Sequence, residues 1–334
     1  MPSLMHGFTS LLTHCISTTK TLSKGLLRKF AVVGAVLLLA ACGGEEDEGK
    51  TRIGVAIPNF DDTFMVYMKD SMAKYAEELG DVELIFVDAK EDTVKQLGQI
   101  QNFIVQQVDG IILVPVNTDA TQPMTDSIQK AGIELVFLNR RPSYLPENVY
   151  YVGSDEVKFG ETQAEFAASK LKEGGNVGII MGMLTQEAAL GRTKGAEEFF
   201  SDKPEFQVVR KQTGLWQRSQ GMIVMENWIN SGDKIDIILA NNDDMALGAI
   251  QALQAAGKLD ETIVVGVDAT PDGIMAIKSG SLNGTVFQDG NAQARGAIDA
   301  TLNAINDKPN EKVTWIPAEL VTQDNLAEFQ AKNG

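Results

Sequence analysis

The chain is 334 residues long and 44% hydrophobic, with 45 acidic against 29 basic side chains and a formal charge of −16. That length fits about two domains of ~150 residues, and the apolar share supports a packed core rather than an acidic disordered chain. The acidic balance excludes a phosphate-backbone partner, which needs Lys and Arg gathered on one face, so no nucleic acid is expected.

Taken in chain order, the first segment is a leader. It carries Lys20, Lys24, Arg28 and Lys29, no acid, and then the apolar run Phe30 to Ala41. That run is too short to span a bilayer and has the size of a signal-peptide core. It ends in Leu39-Ala40-Ala41-Cys42, which resembles the bacterial lipobox, where the Cys is lipidated and the chain is cut before it. Residues 1–41 are thus expected to be removed, Cys42 to carry the lipid, and 42–50 to form an acidic tether to a membrane. Removal takes the charge from −16 to −20 and takes away His6, His14 and Cys15. Without His, and with its one Cys lipidated, the mature chain lacks the usual general base, thiol nucleophile and His-containing metal site.

From Thr51 short β-rich runs alternate with amphipathic helices. "TRIGVAI", "VELIFVD", "GIILVPV" and "IELVFLN" read as strands. Helices from Thr63 to a stop at Gly80, from Thr93, and over "ATQPMTDSIQKAG" separate them. After the Pro-rich break "RRPSYLPENV" the pattern resumes with "YYVGS", "NVGIIMG", "EFQVVRKQT", "KIDIILANND" and "TIVVGVD", each followed by a helix. The tail reads as a strand "NGTVFQD", a helix from Asn291 to Asn306, a strand near "VTWIP", and a short helix from Asn325. Continuous apolar strands bounded by Gly, Pro and Asp and interleaved with helices imply two doubly wound α/β units with parallel sheets.

Ligands of such sheets bind beyond the carboxyl ends of the strands. Those positions hold carboxylates, amides, guanidinium groups and aromatic rings, and neither GxGxxG nor GxxxxGK[ST] occurs. The set suits a neutral polyhydroxylated ring: carboxylates and amides accept from hydroxyls, Arg donates to adjacent oxygens, and aromatic faces cover C–H faces. Asp243 reads as a helix cap, while Asp61 and Asp62 compete for the cap of the helix at Thr63. Trp228 reads as core; the sequence leaves Trp315 open.

The strings "RIGVAIPNFDDTFM", "FLNRRP", "YYVGSDE", "GRTKG", "LANNDDMALGAIQAL", "VVGVDATPDG" and "GTVFQD" together resemble periplasmic sugar-binding proteins of the ribose and galactose type, substrate receptors of ABC importers. The resemblance implies two doubly wound lobes joined by three crossovers, the type I periplasmic binding protein fold. The crossings would lie near Arg141, Gln288 and Pro317, giving one lobe from 51–140 plus 289–316 and another from 141–288 plus 317–334. It also implies a sugar or cyclic polyol in the cleft, a permease partner, a monomer in the periplasm or at the cell-envelope surface, no cofactor and no catalysis. Alternatives are presentation of bound sugar to a membrane chemoreceptor or sensor kinase, and a carbohydrate-acting enzyme.

Residue by residue, Asp62 matches the carboxylate after the first strand and Phe64 the stacking aromatic beside it. Trp216 matches the second aromatic, Arg192 the donor to ring oxygens, Asn242 the amide before a helix, and Asp268 the carboxylate that takes a hydroxyl pair. Arg140 resembles the ribose-type Arg, with Asn139 replacing its Asp, and Gln288 agrees with the ribose type. Val114, Gln186 and Ala188 depart from the galactose type, which has Asn, His and Asp there, and no spaced acids form a calcium loop. Pentoses, and cyclic polyols such as inositol, are therefore the expected ligands. Asp268→Ala or Arg192→Ala is expected to abolish binding without unfolding the chain.

Overall fold

A computed structural model describes residues 49–330; the leader and Cys42 lie outside them. The first sheet contains β1 (Thr51–Ile57), β2 (Val82–Asp88), β3 (Gly110–Leu113), β4 (Glu134–Leu138), β5 (Tyr150–Gly153) and β11 (Val313–Trp315) in the order β11-β5-β4-β3-β1-β2. The second contains β6 (Gly175–Met181), β7 (Phe206–Thr213), β8 (Ile237–Ala240), β9 (Ile263–Asp268), β10 (Gly284–Phe287) and β12 (Glu319–Val321) in the order β12-β10-β9-β8-β6-β7. Apart from one added edge strand in each, β11 and β12, the two sheets repeat one doubly wound order. In both, the ligand crevice belongs where the winding reverses, beside β1 and β3 and beside β6 and β8.

The strands are apolar because helices cover both faces. In β1, Ile53, Val55 and Ile57 pack toward α1 (Thr63–Leu79) and α9 (Gly290–Ile305), while Ala56 points to the opposite layer of α2 (Thr93–Val105) and α3 (Gln122–Ala131). The second sheet is sandwiched between α4 (Glu156–Lys170) with α5 (Glu187–Phe200) and α6 (Arg218–Asn230) with α7 (Asp243–Ala255); α8 (Pro271–Ser279) and α10 (Leu326–Gln330) complete it. Sequence sets the helix ends: Asp62 caps α1 by accepting from the Met65 N–H, and Gly80 stops it in the left-handed conformation at φ 80°.

One expectation needs correction. The first passage between lobes falls at Ser154–Asp155, not near Arg141, because β5 pairs in parallel with β4 and β11 and so belongs to the first sheet. The Pro-rich stretch is a long loop that returns to its own lobe. The boundary of 140 and 141 moves accordingly; the other passages fall at Gln288–Asp289 and at 316–318. The doubly wound parallel sheets are as expected, with one added detail: β12, a three-residue edge strand, runs antiparallel to β10.

Candidate functional site: a cavity between the two sheets

Asp62, Phe64, Asn139, Arg140, Arg192, Trp216, Asn242, Asp268 and Gln288 all line one cavity, joined by Met65 and Ala188. Asp62, Phe64, Asn139 and Arg140 come from the first lobe. Arg192, Trp216, Asn242 and Asp268 come from the second, and Gln288 sits on a passage between them.

Arg192 is the hub. Its Nε donates to Glu156 Oε2 at 2.6 Å, Nη1 to the Asn241 carbonyl at 2.6 Å, and Nη2 to Gln288 Oε1 at 3.1 Å. Nη1 lies 3.8 Å from Asp268 Oδ1, and the guanidinium carbon lies over the rings of Phe159 and Trp216, 5.3 and 5.7 Å from their centroids. Glycine makes this possible: a Cβ at Gly160 or Gly195 would collide with the carbonyls of Arg192 and Val157. The α4 and α5 backbones therefore approach closely enough to bring the buried Glu156 under Arg192. Burial would lower the Arg192 pKa, but Glu156 and Asp268 outweigh it and hold the group above its ordinary value.

Gln288 links the lobes. Its Oε1 accepts from Asn139 Nδ2 and Arg192 Nη2, both at 3.1 Å, while its Nε2 donates to Asp268 Oδ1 at 3.1 Å. Asn139 at φ 64° and Asp268 at φ 114° hold left-handed backbone without glycine. Such conformations cost of order 1–3 kcal/mol each and persist where surroundings over-determine them. Trp216 is fixed through Nε1, which donates to Gln186 Oε1 at 2.6 Å, and through its carbonyl, which accepts from Asn242 Nδ2 at 3.2 Å.

Across the cleft, Arg140 donates to the Pro115 carbonyl at 3.3 Å and lies 3.7 Å from Glu91. Burial lowers its pKa against the pull of Glu91 and Asp62. Burial also raises the carboxyls that face the cavity: Asp268 goes well above its ordinary value against the pull of Arg192, and Asp62 rises against the Met65 N–H and Arg140. A hydroxyl donated to either carboxylate would favour its charged form.

Asp62 both caps α1 and lines the cavity. Asp243 does not cap α7. Asn242 does so, accepting from the Met245 N–H, while Asp243 accepts from Thr270 and Thr285 and props the turn after Asp268. Val114 is core, Trp228 is core, and Trp315 is half exposed with Arg141 stacked over it at 5.5 Å. Sequence reasoning missed the partners Glu156 and Glu91. The first reads as an ordinary acid in a helix's first turn, and nothing local marks it as buried.

This is the architecture of a two-lobed receptor that encloses a small polar molecule. The chain belongs to the periplasmic binding protein family: residues 53–309 match the sequence model of the periplasmic binding protein domain. It is 42% identical over 315 residues, 92% of this chain and 100% of the relative, to a candidate rhizopine-binding protein of Rhizobium meliloti. It is 31% identical over 299 residues, 86% of this chain and 96% of the relative, to the ribose import binding protein of Bacillus subtilis. Among solved structures, an ABC transporter solute-binding protein from Bacillus halodurans with bound myo-inositol superposes with a TM-score of 0.82 at 41% identity, covering 86% of this chain and 99% of that one.

Proposed function

We propose that this protein is the substrate-binding lipoprotein of an ABC importer, holding a monosaccharide or cyclic polyol, myo-inositol foremost, between its lobes for delivery to a permease. The observation that carries this is the lining of one cavity by two carboxylates, two guanidinium groups, three amides and two aromatic rings. Each hydroxyl of a polyol meets an acceptor or a donor there, and the ring faces meet Phe64 and Trp216. Relatives that bind ribose, and a structural neighbour holding myo-inositol, support the ligand class.

The nine lining residues predicted from sequence form the ligand shell in this reading, and the protein performs no chemistry on what it holds. Net hydrogen bonds contribute roughly 0.5–1.5 kcal/mol each and those to charged groups about 1.5–3, so five to eight contacts reach about micromolar affinity after the ordering cost. Lipidation at Cys42 holds the monomer at a bacterial membrane, within diffusion range of its permease. Cys42→Ala should release it into the soluble fraction.

Native mass spectrometry for a co-purified ligand is the direct test, followed by thermal shifts with myo-inositol, ribose, xylose, arabinose, glucose, galactose and allose. A ligand at 100 times its dissociation constant stabilises by ~2.7 kcal/mol. No shift with any of the seven would overturn the proposal.

A further inference from the structure

Gln186 does not line the cavity, yet its side chain is fully buried between the lobes. It occupies the N-cap position of α5, where a polar side chain ordinarily accepts from its own helix, and it makes no such bond. Its amide is used elsewhere. Oε1 accepts from Trp216 Nε1 at 2.6 Å, and Nε2 donates to Glu91 Oε2 and to the Val116 carbonyl, both at 3.3 Å. Glu91 in turn stands 3.7 Å from Arg140.

The chemistry of the partners fixes the direction of each bond. An indole N–H only donates, and an ionised carboxylate and a carbonyl only accept. A primary amide supplies the required acceptor and donor together at this span. Glu91 and Val116 follow strands of the first sheet; Gln186 and Trp216 follow strands of the second. The Trp216 bond is therefore internal to one lobe, whereas the bonds to Glu91 and Val116 require the lobes to meet. Both ends rest on unusual backbone: Lys90 and Glu91 at φ 53° and 55°, and Leu215 and Trp216 at 54° and 65°. Successive left-handed residues without glycine are rare and persist where the side chains they aim are held in place.

We propose that Gln186 is a positioning residue that ties the Trp216 ring of the second lobe to Glu91 and Arg140 of the first, so that lobe closure and the setting of two ligand-lining groups are one event. The inference rests on the ligand-binding reading of the cavity. It assigns Gln186 a role in affinity without contact to the ligand.

Gln186→Glu keeps the side chain's shape and its acceptor for Trp216. Ionised, it sets a carboxylate against Glu91, with Arg140, Asp62 and Asp88 the charged groups behind it and Glu187 beside it on α5. Protonated, it keeps the acceptor for Trp216 and supplies one O–H donor, which restores the bond to Glu91. Titration calorimetry with myo-inositol between pH 5.5 and 8.5, each variant referred to wild type at the same pH, tests this. At pH 8.5 Gln186→Glu should bind about tenfold or more weakly. At pH 5.5 the ratio should close to within about threefold. Gln186→Leu should show a loss of similar size with no pH dependence. A Gln186→Glu ratio that does not change with pH overturns the relay. The Trp216 indole N–H provides a reading without any ligand, assigned in NMR spectra through Trp216→Phe. It should shift and exchange faster in Gln186→Leu and stay put in Gln186→Glu; an unmoved signal in Gln186→Leu also overturns the relay. If wild type fails to bind myo-inositol, the choice of ligand falls and the calorimetry is run with whichever of the other six sugars raises the melting temperature.

Discussion

Each lobe places one arginine in the cavity, and the two are held very differently. Arg192 donates at 2.6 Å to both Glu156 and the Asn241 carbonyl, reaches Gln288, and lies over two aromatic rings. Arg140 has one carbonyl at 3.3 Å and one carboxylate at 3.7 Å. Their pKa values move in opposite directions for this reason: buried acids outweigh burial at Arg192, whereas burial outweighs them at Arg140. In the proposed ligand-binding reading the second lobe is thus a pre-formed half-site and the first lobe a looser half. Preorganisation lowers the ordering cost of binding, so the second lobe should carry most of the affinity.

The sharpest way to break that comparison is to remove one charge from each half. Asp268→Asn strips the tight half of a ligand acceptor and of a charge beside Arg192, and should weaken binding about 100-fold or more. Arg140→Ala, in the loose half, should weaken it about tenfold. Calorimetry on both variants decides, and equal losses would end the asymmetry. Arg192→Ala is the less clean probe. The expectation that it spares the fold overlooks Glu156, whose buried carboxylate would lose its partner at a cost of about 3–5 kcal/mol. Asp268→Asn therefore separates binding from folding better.

Why Arg192 was legible as a site residue but not as half of a buried pair is a question of range. Strand ends are visible locally: "IVVGVD" and "IILA" are continuous apolar runs that stop at polar residues, so Asp268 and Asn242 fall at the crevice once the sheets are drawn. Asp268 ends a strand and the other eight lie in the segments that run on from strand ends, Arg192 farthest along, inside α5. Partners that depend on how two helices pack are not visible in this way. Glu156 meets Arg192 because Gly160 and Gly195 let α4 and α5 touch, and Glu91 faces Arg140 from an irregular left-handed turn. The misplaced lobe boundary has a related cause. A loop with two prolines reads as a linker, whereas Tyr150–Gly153 beyond it extends the first sheet.

The tight half should also be the pH-sensitive half of the fold. Burial, with Glu156 second, pushes Glu187 up to about 8 in the folded chain from 4.5. Between those values the folded state holds a proton that the unfolded chain has released. Stability from this group is therefore fully present below pH ~4.5 and lost as pH rises toward ~8. Melting temperature should fall across that window, and Glu187→Gln should flatten the fall and raise stability at pH 8. A profile identical to wild type would remove Glu187 as its source.

The smallest effect tests the loose half at its edge. Thr63 opens α1 directly after Asp62, and its Oγ1 donates across the cleft to Asp244 Oδ2 at 2.7 Å, on a carboxylate that Arg218 also holds. The bond is exposed, so its net worth lies near the low end of roughly 0.5–1.5 kcal/mol. Because it forms between lobes, losing it acts on opening rather than on the shape of either half. Thr63→Val keeps the volume and removes the donor, and should speed ligand release about two- to fivefold with little change in the association rate. Thr63→Ser should restore the slow rate. Stopped-flow displacement gives both rates. An effect on association alone would mean that the first lobe does not take its final geometry at closure, and that the loose half is as pre-formed as the tight one.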